Sequence, residues 1–150
     1  MTPRVRYLGP FGQHTGYAVA GMDTMMALHR AEVDLDIVPI LDFDTETLHP
    51  RYHALLPYLH RHAQPDWPTH LIIHTIPFYL RALVEELDPP SSVRKLAMTT
   101  WETNKFPGDI ASDIATSFDR LIVPCEFNSK VFARAGVPAE QIRTVPHPFD

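Results

Sequence analysis

The chain has 150 residues, 45% hydrophobic and 21% charged, which is ordinary for one domain with a sizeable core. Thirteen Lys and Arg stand against 18 Asp and Glu, a formal charge of -5, which argues against nucleic acid or another polyanion as the main partner. The single cysteine, Cys125, excludes an internal disulfide; with no apolar run long enough to span a membrane and no signal-peptide core, a cytoplasmic setting is expected.

Val5 to Leu8 reads as a first strand, with "GPFGQHTG" as the loop behind it. Tyr17 to Ala31 follows as a helix, with Val19, Met22, Met26 and His29 at helical spacing. "LDIVPI", 35–40, is the second strand, 41–51 a polar loop, and 52–62 a helix. "THLIIHT", 69–75, is the third strand. Pro77 opens the next helix, at a position where its missing N–H costs nothing, and "ELDPPSS" closes it. "VRKLAMTT", 93–100, is the fourth strand, and 107–118 a helix with Ile110, Ile114 and Phe118 on one face. "DRLIVPC", 119–125, is the fifth strand, followed by "EFNSKVFARAG", a helix closed by Gly136. "IRTVPH", 142–147, is the sixth strand.

Short strands that are nearly continuous in Val, Ile and Leu, alternating with helices, predict an α/β fold. The right-handed crossover rule makes it a Rossmann-like, doubly wound, mostly parallel sheet with helices on both faces. Residues 1–150 form one domain in this reading. Ligands of such sheets bind outside the carboxyl ends of the strands. That edge holds Gly9 to Gly16, Leu41 to Asp44, His74 to Pro77, Thr99 to Phe106 and Pro124 to Asn128.

Gly9, Gly12 and Gly16 are spaced G-x-x-G-x-x-x-G, which departs from the dinucleotide fingerprint. Glycines after a first strand still let backbone N–H groups approach an anionic ligand at a helix start; the plainer reading is a tight turn with one positive φ. His14 and His74 lie on the ligand edge, where an imidazole can bond a hydroxyl or a phosphate. The spacings of His49, His53, His60 and His62 match no metal site, and no metal is expected. Cys125 falls at a helix start without an identifiable base, so a small residue at the N-cap position is expected there rather than a catalytic thiol. Glu126 suits the dipole of that helix, and Asn128 bonds its start or faces the cleft. A basic cleft rim would draw on Arg4, Arg6 and Lys105.

"MTTWETNKFP", followed by "DRLIVPCEFNSKVFARAGVPAEQIRTVPHPFD", resembles the N-terminal half of a GT-B glycosyltransferase, most closely the large retaining, nucleotide-sugar-dependent group (group 1 type). The likeness runs the length of the chain and is strongest from Met98 to Asp150. Cys125 stands where that group usually has Ser, and "HPFD" where it has "HGVD".

The resemblance implies one half of a two-domain enzyme, with the donor-binding C-terminal half outside this chain, supplied in cis or in trans. It implies an acceptor-side cleft wall of Trp101, Glu102, Thr103, Asn104 and Lys105. The loop of Gly9, Gly12, Gln13, His14 and Gly16 would approach the donor pyrophosphate. Glu126 and Asn128 would flank the cleft, and His74 is the first candidate for a catalytic role. The co-substrate would be a nucleotide sugar, with no cofactor and no required metal. The isolated chain would be inactive. An uncovered wall including Phe11, Trp101, Phe106 and Phe127 would favour a weak homodimer or docking of the second domain. The competing reading is a non-catalytic Rossmann-like module that binds a nucleotide, a sugar or a partner protein. Trp101 as a core residue, with Glu102 capping the next turn, is the plain alternative for that stretch.

Overall fold

A computed structural model describes residues 2–59 and 66–149. Six strands form a single sheet: β1 Arg4–Gly9, β2 Asp34–Pro39, β3 His70–His74, β4 Arg94–Met98, β5 Arg120–Val123 and β6 Ile142–Thr144. All neighbours pair in parallel, in the order β2-β1-β3-β4-β5-β6. The direction of winding reverses at β1 and β3, and in a doubly wound sheet that reversal opens a crevice at the carboxyl ends of the two strands.

Helix α1, Gly16–Arg30, crosses from β1 to β2 and covers one face. Thr15 caps it by accepting a bond from the Ala18 N–H, while His29 and Arg30 suit the negative end of its dipole. Helices α2 (Pro77–Leu87), α3 (Gly108–Ser117) and α4 (Glu126–Ala135) cover the other face. Strand alternation divides the core accordingly. Tyr7, Ile37, Ile72 and Met98 pack with Met22 and Met25 of α1. Leu71, Ile73, Ala97, Leu121 and Val123 pack with Leu80, Ile114 and Phe132 of the opposite helices.

The expected elements are present with ends shifted by one to a few residues. The exception is 52–62. A 3₁₀ segment, Pro50–Tyr58, stands where an α-helix was expected. Pro57 lies inside it and lacks the N–H an α-helical bond needs. The rest of that helix, with His60 and His62, lies outside the described residues. The sixth strand is only Ile142–Thr144, because Pro146 and Pro148 cannot donate to a ladder. Arg4 and Arg6 are not cleft-rim residues. They enter the sheet on β1 and meet Asp34 and Asp36, their register partners on β2.

Gly12 is fixed by its surroundings. Its φ is +81°, and a Cβ there would lie 2.7 Å from Cδ2 and 2.8 Å from Cβ of Phe43. Gly12→Ala is expected to cost about 2 kcal/mol, from left-handed strain plus overpacking. Phe43→Ala should rescue it only in part, since the Cβ clash persists. Gly16 has open space and no positive φ, so Gly16→Ala should stay within about 0.5 kcal/mol. Urea denaturation of the three variants checks this; equal costs at positions 12 and 16 would overturn it.

Candidate functional site

The crevice at the β1/β3 reversal is built around His74, the last residue of β3 and only 1% exposed. Alternation turns its side chain under α1. Two glycines leave the room: a Cβ at Gly21 would stand 3.4 Å from His74 Nδ1, and one at Gly9 would stand 3.3 Å from the His74 carbonyl oxygen. Tyr7 Oη lies 2.7 Å from His74 Nδ1 and 3.6 Å from Met98 Sδ. Burial pushes the Tyr7 hydroxyl far above its ordinary range, so it keeps its proton. Imidazole nitrogen is a better acceptor than a thioether, so the Tyr7 O–H donates to Nδ1 and the His74 proton sits on Nε2.

His147 completes the pair. The chain leaves β6 and runs back along the carboxyl edge, and the two imidazoles stack with centroids 6.3 Å apart and planes 25° apart. Burial, and secondarily the neighbouring His147, lower the His74 pKa from 6.5 to about 4. Burial also lowers that of His147, with Asp23 acting in the opposite sense. Both rings are therefore neutral at pH 7. The His147 Nδ1 is buried and has no hydrogen-bond partner among the described residues.

His74 and His147 line a cavity of about 390 Å³ with Thr15, Gly16 and Tyr17 at the start of α1, and Thr100 and Glu102 past the end of β4. Tyr17 ties these elements together: its hydroxyl accepts from the Thr100 N–H (3.3 Å) and donates to the Thr100 carbonyl (3.1 Å). Tyr17, Thr100 and Glu102 also border a second hollow, of about 250 Å³, walled by Ile76, Pro77, Phe78 and Trp101. The two hollows adjoin along Tyr17, Thr100 and Glu102, which line both, and together form a trough that is polar at His74 and apolar at Phe78.

The sequence-derived candidates divide between this trough and other places. His74, Gly16, Trp101, Glu102 and Thr103 line it. Trp101 is half-buried: its indole N–H donates to the Lys105 carbonyl at 2.7 Å, and its ring packs edge-on between Phe78 and Phe106. Asn104 and Lys105 are exposed and line neither hollow. Gly9 is buried beneath His74. Gly12, Gln13 and His14 face a separate hollow of about 290 Å³ on the other flank of α1, beside Arg51 and Tyr52. The glycine loop therefore does not act as a unit around His74.

Asn128 is buried rather than at the cleft edge. It accepts from the Thr100 hydroxyl at 2.7 Å and donates to the Trp101 carbonyl at 2.6 Å, fixing the β4 exit to α4. Glu126 is exposed; its hydrogen bond to Lys130 (2.9 Å) holds its carboxyl below the usual range. Cys125 is exposed at the N-cap position and makes no side-chain cap bond. The expected apolar wall is smaller than anticipated. Phe11 is fully buried against Phe43, and Phe106 is buried against Phe132, so only Trp101 in part and Phe127 reach the surface.

Tyr17, Thr100 and His147 were not singled out as site residues from sequence. Position past a strand end was a usable signal for Thr100. None existed for His147, whose place depends on the path of the chain after β6.

No family model and no curated protein matches this sequence. Three crystal structures of Alr3699/HepE from Anabaena match in three dimensions. The complex with UDP and glucose has a TM-score of 0.55 at 11% identity, over 99% of this chain and 45% of that one. The UDP-glucose complex gives 0.55 at 11%, over 99% and 44%. The UDP complex gives 0.55 at 12%, over 98% and 44%. This chain thus spans less than half the length of the chains it matches. The likeness shows the fold: a Rossmann-like α/β domain that matches one half of a GT-B architecture.

Proposed function

We propose that this chain supplies the acceptor-side wall of a glycosyltransferase that uses a nucleotide sugar, with a second Rossmann-like domain, in cis or in trans, supplying most of the donor site. The observation that carries this reading is the likeness, over 99% of the chain, to part of a protein held with UDP and glucose. The polar trough at the winding reversal, where ligands of such sheets bind, supports it.

The chemistry asked of this wall is positioning. A base whose conjugate acid has a pKa of about 4 takes up a proton poorly at neutral pH. His74 instead offers an Nε2–H to a sugar hydroxyl, held in that tautomer by Tyr7. Glu102 accepts from hydroxyls. Thr15 and Gly16, at the positive end of α1, face developing negative charge. Retaining transfer of this kind relies on orienting the partners and stabilising the leaving diphosphate rather than on a protein nucleophile. Among the described residues no Lys or Arg lines the trough, so that diphosphate is neutralised chiefly by the second domain.

Transfer assays test the reading. The 150-residue chain alone, with UDP-glucose, other nucleotide sugars and a broad acceptor panel, should give no product above background. Turnover should appear when the second domain encoded in the same or a neighbouring gene is supplied, and His74→Ala should reduce it at least about tenfold, the size of one lost hydrogen bond to a reacting group. Turnover by this chain alone would overturn the two-domain division. No turnover with the second domain present would leave a binding module.

A further inference from the structure

The trough is amphipathic in a way that selects a substrate. Its inner end offers hydrogen-bonding groups: His74, His147, Thr15 and Glu102. Its outer end offers Ile76, Pro77, Phe78 and Trp101, and beyond the shared border of Tyr17, Thr100 and Glu102, Thr103 is the one polar residue among its described lining residues. Trp101 has spent its N–H on the Lys105 carbonyl, so what it presents is ring surface. Ile76 and Phe78 are 39% and 48% exposed. Pro77 is the first residue of α2 and holds the backbone of Ile76 before it extended.

Charge narrows the ligand further. Glu102 is the one carboxylate among the described lining residues, none of them is a Lys or Arg, and burial lowers the pKa of both histidines. An anionic ligand would meet the Glu102 carboxylate here and, among the described lining residues, no Lys or Arg, with only the start of α1 to offset it. The separate hollow beside Arg51 is where the cationic and imidazole groups gather, on the opposite flank of α1.

Resting on the glycosyltransferase reading above, we propose that the acceptor is an uncharged amphiphile: a hydroxyl-bearing polar head at His74 and Glu102, joined to an apolar ring or chain lying between Phe78 and Trp101. The two ends share Tyr17, Thr100 and Glu102 as lining residues, which favours one ligand with two parts over two ligands. Aromatic walls beside a polar pocket suit a ring stacked or packed edge-on, and the exposed rims of Ile76 and Phe78 give that ring something to cover.

The test is a binding measurement on the chain itself, by NMR titration followed at the His74, His147 and Trp101 side chains. The probes are methyl and phenyl β-glucosides and β-galactosides, with glucose 6-phosphate as the anionic arm. A phenyl glycoside should bind about tenfold tighter than its methyl counterpart, about 1.4 kcal/mol. Phe78→Ser, on an exposed side chain and so compatible with folding, should abolish that advantage, leaving the phenyl and methyl glycosides equal in affinity. His74→Gln should weaken both glycosides alike. Glucose 6-phosphate should bind no tighter than the methyl glucoside.

Equal affinity of the two glycosides overturns the proposal, as does an advantage that survives Phe78→Ser, tighter binding of the phosphate, or no binding of any glycoside. A fifth outcome also overturns it: Phe78→Ser leaves glycosides unaffected but weakens association with the second domain, which would make the apolar end an interdomain contact. None of these readouts needs transfer. Discrimination by the chain with no turnover even when the second domain is supplied would sink the enzyme reading and spare this one; turnover on acceptors lacking an apolar part would do the reverse.

Discussion

Arg6→Met is expected to destabilise the chain by about 3–5 kcal/mol, because it strands a buried carboxylate. Arg6 and Asp36 are register neighbours on β1 and β2, and their side chains are 9% and 2% exposed. Arg6 Nε donates to Asp36 Oδ2 at 2.7 Å, and the guanidinium lies over the Trp67 ring at 5.1 Å. The contact is only half of a two-pronged pair. Arg6 Nη2 and Asp36 Oδ1 are buried and have no partner among the described residues. A pair that desolvates two charges and satisfies them incompletely adds little net stability, yet losing one member leaves the other's full desolvation cost. The double replacement Arg6→Met with Asp36→Leu should therefore recover most of the loss, to within about 1 kcal/mol of the parent or above it. Urea denaturation of the parent, both single variants and the double variant measures the cycle. A loss below about 1 kcal/mol for Arg6→Met would mean that water reaches Asp36 and the pair is not truly interior.

Arg6 also shows where sequence reading stops. It read as a rim cation because alternation alone does not say which polar residue on a strand has a partner at the facing register position of the next strand. The strands themselves were legible, since parallel strands covered on both faces are written as continuous apolar runs such as "HLIIH" and "RLIV". The carboxyl edge followed from their order, and with it Glu102, Trp101 and His74. Residues 52–58 were misread for a physical reason. Tyr52 and Leu55 are buried three apart, a spacing that α and 3₁₀ geometry share, and Pro57 tips the balance. Phe11 and Phe106 sit in loops by sequence yet turn inward, where Phe43 and Phe132 receive them. Tyr7 and His147 were not legible as site residues. One is an ordinary strand residue until His74 is placed 2.7 Å away; the other depends on a chain path that propensity does not encode.

Acidification from pH 6.5 to 4 is expected to remove roughly 3 kcal/mol of stability through His74 alone. The sign follows from the two pKa values. Unfolded, the imidazole titrates near 6.5; folded, burial first and His147 second bring it to about 4. The folded state thus binds fewer protons across that window. The stability carried by neutral His74 is fully present above pH 6.5, declines as pH falls, and is gone once the folded pKa is passed. His147, half-buried and shifted the same way, adds a smaller loss that solvent screening reduces. Asp and Glu ordinarily titrate near or below pH 4.3, so the interval from 6.5 to 5 isolates the histidines, and about 2 kcal/mol of the loss should fall there. His74→Gln separates His74 from the rest. Its amide oxygen can accept from Tyr7, and it does not titrate, so most of the slope between pH 6.5 and 5 should vanish while the fold remains. The measurement is chemical denaturation at half-unit pH steps for parent and variant. Parallel slopes would mean that His74 is reached by water and pays no burial penalty on protonation. The neutral Nε2–H donor assigned to it would then be lost, and with it the positioning role at the polar end of the trough.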